Sequence, residues 1–412
     1  MSVAQISSEA GVSSATFYEQ FENKEDCLLA AYGAAAERLL VVQPPSVADG
    51  DWIVAARETL REFGDAVQRY PDAARLLFVD TLSGGPRVRK VRGAAISAFD
   101  ARVQEFVDST PADGPTLDVP GVALLGATRS IIARSLRTHG ESELSSLADD
   151  GMAWVLSYAV PPGTRRWSTG PRSLLAPAPS APAPARTRRS PKRLPRGRHR
   201  LPPGLVARSH RTRIIYATAE VMQTKGYQEA TVADIVAAAG VSRDVFYEHF
   251  ADKQDAFLEA QNHPTQHILE RCAAAYFSGG SWPERVWRVL EALLTMIAEN
   301  HPISHLRLVE CYAAGPEAIR RAEEITRSFT IFLEEGYSCR EQPETLPKLS
   351  TQAIAGGVFE MIQRHAARGE LEVLPSLLPR LAYVCIAPFM GATEAIDFLT
   401  NKITQQREGA TS

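Results

Sequence analysis

The chain contains itself twice. Val3-Ala4-Gln5-Ile6, Ala10-Gly11-Val12-Ser13 and Phe17-Tyr18-Glu19-Gln20-Phe21 return as Val232-Ala233-Asp234-Ile235, Ala239-Gly240-Val241-Ser242 and Phe246-Tyr247-Glu248-His249-Phe250, 229 positions later. About half of residues 3–31 are identical at that offset, without a gap. Self-similarity at so long a period makes the module, not the chain, the unit of folding. Weaker counterparts continue the pattern: Trp52 with Trp282, Tyr70-Pro71 with His301-Pro302, Gly85-Pro86 with Gly315-Pro316, and Gly126 with Gly356. Each copy is therefore about 160 to 200 residues, the size of an ordinary domain.

Between the copies lies a segment of another kind. Pro162 to about Arg208 is rich in Pro, with Ala-Pro alternation from Ala176 to Ala185. Such composition favours extended chain and cannot build a core, so it reads as a linker. The net charge of -3 hides a segregation, because Thr164 to Arg213 holds fourteen Lys or Arg and no Asp or Glu. A basic arm thus joins acidic bodies.

Outside the linker the periodicity is helical. Ile214, Thr218, Val221 and Met222 share one face, as do Val286, Val289, Leu290, Leu293, Leu294 and Ile297. Strand alternation and Asn-Gly hairpin turns are missing, so the expected class is all-α. No run of eighteen apolar residues and no signal-peptide pattern is present, which predicts a cytoplasmic chain without a membrane partner. Cys27, Cys272, Cys311, Cys339 and Cys385 form no CxxC pair and read as reduced core thiols.

Thr231-Val232-Ala233-Asp234 has the form of a capping box, and Ile235, Val236 and Ala239 come next on one face. Gly240 supplies the positive φ of a sharp turn, and Ser242 can cap a second short helix that turns Val245 and Phe246 inward. Asp252, Lys253 and Asp255 then begin a third helix. This is a helix-turn-helix. In such a motif the second helix enters the major groove, which exposes Arg243, Asp244, Tyr247 and His249 to DNA. The Arg243 fork suits guanine O6 and N7, and Asp244 could accept from cytosine or repel phosphate. Thr231, Ser242, Tyr247 and Lys253 suit phosphates, which fix register without reading sequence. The arm adds Arg208, Arg211 and Arg213 beside the motif. The rest of the arm is equally well a solvated tether.

Gly226-Tyr227, Thr231-Val232, Ile235, Ala239-Gly240-Val241-Ser242, Phe246-Tyr247, His249-Phe250, Lys253 and the preceding Arg213-Ile214 resemble the signature of TetR/AcrR-type regulators. The resemblance is specific over residues 211–260. It implies two modules, each a helix-turn-helix DNA-binding domain followed by a helical ligand-binding and dimerisation domain. The boundaries expected are 1–40 and 208–262 for the DNA-binding domains, 41–162 and 263–403 for the effector domains, and 163–207 for the linker. It further implies double-stranded operator DNA as partner, a small and often apolar effector that releases it, and repression as the default. Trp282, Trp287, Met296, Phe329, Phe332, Met361 and Tyr383 are candidates for core or pocket, and Pro264 should interrupt the helix joining reader to effector domain. Regulators of this kind pair through their last two helices. Here Gly121 to Ala159 is expected to pack on about Gln352 to Met390 as an intrachain pseudo-dimer, with homodimerisation of like copies as the rival. Two readers would then meet half-sites ~34 to 36 Å apart.

The first copy begins late. Met1-Ser2 align with Ala230-Thr231, so no leading helix covers Ile6, Ala10 and Phe17. Three explanations compete: an upstream start codon, another covering segment, or a reader no longer functional. Ser13, Ser14, Tyr18 and Lys24 are its candidate DNA contacts, with Ser14-Ala15 replacing Arg243-Asp244 and Gln20 replacing His249.

Two other classes of function compete with this one. His263 with His267, and His301 with His305, have the four-residue spacing of a helical zinc pair, but a Pro sits inside each and no HExxH glutamate accompanies them. With no nucleophile elbow, phosphate loop or dinucleotide fingerprint, no catalytic residue, metal or cofactor is expected and the chain is read as a non-enzyme. The other class is a ligand-sensing adaptor without DNA binding in one or both copies. Ser242, Tyr247 and Lys253 argue against it.

Overall fold

A computed structural model of the chain describes residues 2–40, 52–79, 86–109, 116–138, 147–161, 167 and 202–411. Most of the expected linker and basic arm lies outside these residues. The chain divides into two compact units, Met1–Pro111 with Thr128–Met152, and Ala112–Ala127 with Ala153–Ser412.

The described elements are α1 Val3–Glu9, α2 Ser14–Gln20, α3 Lys24–Leu39, α4 Trp52–Arg69, α5 Pro71–Phe78, α6 Pro86–Ser109, β1 Thr116–Leu117, α7 Gly121–Thr138, α8 Leu147–Leu156 and β2 Ala159–Val160. They continue as α9 Pro203–Glu229, α10 Val232–Ala239, α11 Arg243–His249, α12 Lys253–Asn262, α13 Thr265–Tyr276, α14 Trp282–Glu299 and α15 His301–Leu308. The last are α16 Pro316–Ser328, α17 Ile331–Glu334, α18 Ser350–Ala367, α19 Leu378–Met390 and α20 Ala392–Thr411, with short 3-10 turns between. The all-α expectation holds apart from one exception.

That exception is a two-residue antiparallel ladder, with Thr116 opposite Val160 and Leu117 opposite Ala159. Strands this short leave no alternation to read in the sequence. Buried Asp118 secures the clasp, its N–H donating to Tyr158 O at 3.1 Å and its carboxylate accepting from the Trp167 N–H at 2.6 Å.

The weak likeness between copies falls on equivalent helix positions. α4 and α14 each span 18 residues and open on a buried Trp, Trp52 or Trp282. α5 and α15 each span eight residues, with Pro71 and Pro302 in their first turns, where a missing N–H costs nothing.

Within the second unit, segments of the first copy lie against α18 and α19. A Cβ on Gly357 would sit 2.7 Å from the Ala123 carbonyl oxygen. Tyr158, fully buried, donates its hydroxyl to Val384 O at 2.7 Å, and its ring lies 6.2 Å from that of Tyr383. Leu371–Met390 is long and apolar enough by composition to cross a membrane. It is nonetheless packed inside this unit, where Leu381, Ala382, Tyr383, Val384, Ile386 and Ala387 are wholly buried.

A single apolar cluster runs from the three-helix head into the helices after it. Ile214, Met222, Ile235, Phe246 and Phe257 join Ile303, Leu306, Cys311, Ala314 and Ala318 in it. The head is therefore not a bead on a string but is packed on α15, α16 and the turn between them.

Candidate DNA interface and ligand cavity

Local chemistry sets the shape of residues 231–250. Thr231 and Asp234 form the capping box, each side chain accepting from the other's backbone N–H at 3.2 and 3.0 Å. Gly240 closes α10 in the left-handed conformation, φ 61 and ψ 42, which other residues adopt only at a cost. Ser242 caps α11, its hydroxyl accepting from Val245 N–H at 3.2 Å. Phe246 points inward and is wholly buried, while Arg243, Asp244 and Tyr247 project outward. Tyr247 is 47% exposed, and the Arg243 guanidinium lies 5.7 Å from its ring centroid. Thr231 and Ser242 are exposed at the two N-termini, so their hydroxyls cap helices and still face solvent.

Three of the expected contacts sit differently. Arg213, placed among the DNA-facing arginines by the sequence, is 7% exposed. Its guanidinium reaches inward and donates to the carbonyl oxygens of Ala239 and Gly240, the latter at 2.9 Å. The correction has a simple cause: the C-terminal carbonyls of α10 have no helical partner, and the buried fork satisfies them. Lys253 donates to Tyr227 O at 2.7 Å and Ala230 O at 2.9 Å and lies over the Tyr227 ring, so one N–H is left for a phosphate. Burial pulls its pKa below the ordinary lysine value. His249 is only half exposed, with a buried Nε2 that finds no partner among the described residues. Arg211 remains half exposed, paired with Glu259 at 2.8 Å and resting on the Phe250 ring.

The first copy keeps the local design and lacks the cover. Ser2 and Ser13 cap α1 and α2, the Ser13 hydroxyl accepting from Thr16 N–H at 3.0 Å. Ser14 and Lys24 are exposed and Tyr18 is 59% exposed. Phe17 is buried, but Ile6 is half exposed and Ala10 exposed, whereas their counterparts Phe246, Ile235 and Ala239 are all buried. Among the described residues Ile6 and Ala10 thus lack the cover that Ile235 and Ala239 have.

Hydrogen bonds that the sequence did not reveal tie the second head to α15, α16 and the turn between them. Glu310, 3% exposed, accepts from the Tyr227 N–H at 2.7 Å, just where Gly226 (φ 77) ends the regular part of α9. Gln228, Gln254 and Gln261 donate to the carbonyls of Ala313, Ala314 and Ala318 at 3.3, 3.2 and 2.8 Å. A lone acid inside the apolar run Leu308 to Ala314 was the available signal for Glu310.

Beside this junction is a cavity of about 200 Å³. One water needs about 10 to 15 Å³ of such space, so this is room for a ligand and not a packing flaw. Aliphatic and aromatic side chains from α13, α14, α15, α16 and α18 dominate its wall. Of the seven candidates read from sequence, Met296, Phe329 and Phe332 line it, while Trp282, Trp287, Met361 and Tyr383 do not. Its charged or titratable members are His267, Arg271, Glu299, Arg307 and the Cys385 thiol, whose pKa burial raises. Pro264, which separates α12 from α13 as expected, borders it, and so does Gln261, whose buried Oε1 has no partner among the described residues. Among the described residues no group of three or more His, Cys, Asp or Glu could hold a metal ion.

Residues 1–31 and 214–260 both match the family of bacterial regulatory proteins, tetR family. The fatty acid metabolism regulator protein of Bacillus subtilis is 24% identical over 155 residues, covering 36% of this chain and 80% of that protein. The HTH-type transcriptional activator FasR of Mycolicibacterium smegmatis is 24% identical over 154 residues, 37% of this chain and 59% of the activator. Among solved structures, the transcriptional regulator FadR of Bacillus subtilis, in complex with stearoyl-CoA, shares 17% identity over 42% of this chain and 96% of its own, with a TM-score of 0.37.

Proposed function

We propose that this chain, with its two tetR-type segments, is a sequence-specific transcription regulator that reads operator DNA with α10 and α11 and is released by a small, largely apolar effector. The observation that carries this reading is the head at residues 214–260. It matches the family, folds as a capped helix-turn-helix around Gly240, and presents Arg243, Asp244 and Tyr247 together to solvent. The effector site is the cavity beside it. The name of the Bacillus relative refers to fatty acid metabolism, which agrees with an effector carrying an aliphatic part.

The cavity and the head share structure through which a ligand can act. α15 forms part of the wall through Ile303, Ser304 and Arg307, and two residues after its end Glu310 holds the Tyr227 N–H. Tyr227 in turn gives its carbonyl to Lys253, the first residue of the helix after the reader. A ligand that moves α15 therefore acts on the frame of the helix-turn-helix through two hydrogen bonds.

Tandem duplication is the second part of the proposal, and an intrachain pseudo-dimer the third. Gly126 and Gly356, equivalent by the repeat, come together: a Cβ on Gly126 would lie 3.2 Å from Gly356 O. Equivalent residues meet at the axis of an isologous contact, and this meeting supports the reading in which the second module takes the part of a second chain.

A footprint of the purified protein on DNA flanking its own gene, at defined salt, tests the reading. Protection of two unlike half-sites by one chain is expected. Two like half-sites covered by two chains would replace the pseudo-dimer with a homodimer using only the second reader. If neither flanking DNA nor a random-sequence selection yields a bound site, the DNA-binding function falls. A reporter behind the protected promoter gives the sign of control, for which the resemblance implies repression.

A further inference from the structure

Arg307 is out of place for a cavity wall made largely of hydrocarbon. It lies in the last turn of α15, deep within the second unit, yet keeps accessible surface because what it faces is the cavity. Among the described residues its side chain makes no hydrogen bond and no ion pair. Its charged neighbours do not compensate. The Cys311 thiol beside it is driven far above its usual pKa by burial and so stays neutral. Glu310 is engaged by Tyr227 and lies near His305, and Glu299, on the same cavity wall, is not within ion-pair reach. The strain shows on the guanidinium itself, whose pKa burial lowers to about 10.

A buried, unpaired cation is normally removed or paired, because desolvating a charge without compensation is strongly unfavourable. Guanidinium keeps its proton at neutral pH even so, since about 10 is still well above 7. The site is therefore a fixed positive charge with free N–H donors, surrounded by aliphatic wall. Its complement is an anion carried on an aliphatic chain. A planar carboxylate or a phosphate oxygen pair fits the guanidinium fork with two parallel hydrogen bonds.

We propose that Arg307 is the specificity-determining residue of the cavity, and that the effector is an amphipathic anion whose charged group pairs with it while its aliphatic part fills the space lined by Ile303, Leu293, Met296, Phe329 and Ile354. The inference rests on the cavity being the effector site. Arg271, exposed on α13 at the cavity, adds positive charge at the rim for an anion entering or for a larger anionic head group, and His267, exposed on the same helix, adds a ring N–H donor.

The test is direct binding to the full chain, measured by calorimetry with three probes of one chain length: dodecanoate, dodecanoyl-CoA and 1-dodecanol. At least one anion is expected to bind tenfold or more tightly than the alcohol, and the stronger of the two identifies whether a free carboxylate or a phosphate-bearing head is recognised. Arg307→Met should cost that anion at least tenfold and leave the alcohol unchanged, while Arg307→Lys should recover part of the loss. Arg307→Met should also raise the melting temperature of the unliganded protein, because it removes an unpaired buried charge, an effect opposite to that expected of an arginine holding the fold together. The proposal is overturned if the alcohol binds as tightly as the anions, if Arg307→Met keeps anion affinity, if that variant melts lower, or if none of the three probes binds. A chain that footprints DNA but fails these tests keeps its function and loses this ligand. One that binds the anion through Arg307 but protects no DNA does the reverse.

Discussion

Gly126 and Gly356, 230 positions apart, approach so closely that any side chain on Gly126 would meet the Gly356 carbonyl and collide with Glu360. Such proximity leaves no space for a larger residue, and the obstacle is backbone as well as a flexible side chain. Gly126→Val should therefore lower unfolding free energy by ~1 to 3 kcal/mol or more, the range for forcing atoms into packed space. Urea unfolding of the two proteins measures it. Sedimentation of the wild type should show one chain per particle, and a wild type that sediments as a dimer would disprove the internal pairing.

Arg213 and Arg211 are two positions apart, and they predict opposite phenotypes. Arg213 holds the carbonyls of Ala239 and Gly240 from inside, so Arg213→Met leaves buried acceptors unsatisfied and should cost the protein ~1 to 3 kcal/mol. Lys253→Met should act likewise through Tyr227 O and Ala230 O. Arg211 is half exposed and its pair with Glu259 is a surface one, so Arg211→Met should change stability by less than ~1 kcal/mol. Differential scanning of the three variants separates the cases. A severe loss from Arg211→Met alone would mean that the inward and outward roles have been exchanged.

These arginines also show what a sequence can and cannot disclose. The caps at Thr231 and Ser242 and the turn at Gly240 were legible because each depends on one hydroxyl or one φ within a few residues. The head as a whole was legible from its repeated motif. Arg213 was misread because its orientation is decided by a carbonyl 26 positions away, whose place exists only once three helices have packed. Glu310 escaped notice for the same reason, its partner being 83 positions distant. Periodicity identified the faces bearing Met296 and Phe332, but it could not say that these line empty space while Trp282 and Tyr383 meet atoms. The ladder at Thr116 was too short to leave a pattern.

The capping box makes the head sensitive to acid. Asp234 accepts from the Lys225 ammonium at 2.5 Å and from the Thr231 hydroxyl and N–H, and these contacts hold its carboxyl down at about 2. Its unfolded value is about 3.9, so the folded state prefers the ionised form. That contribution is complete above about pH 4 and disappears as pH falls towards 2. Asp234→Asn should thus be less stable than wild type at pH 5, with the difference shrinking to nothing near pH 2. Denaturant titrations across that range check it, and added salt should narrow the gap because the Lys225 pair lies at the surface. A difference constant in pH would assign the loss to the amide's geometry and not to charge.

Recognition itself should divide between Arg243 and Tyr247. Arg243 is exposed at the first position of α11, where a guanidinium can reach a base edge, and its position over the Tyr247 ring restricts the rotamers it must give up on binding. Arg243→Ala should therefore relax preference at one base pair per reader, at ~1 to 3 kcal/mol of lost discrimination, while leaving binding to other positions ordered as before. Tyr247→Phe removes only a hydroxyl. It should weaken all operators by a similar factor and leave the salt dependence untouched, since no charge is lost. Affinities for a panel of single-base operator variants, measured at several salt concentrations, resolve the two patterns. If Tyr247→Phe changes the order of preference and Arg243→Ala does not, then the tyrosine reads the sequence and the arginine positions the helix.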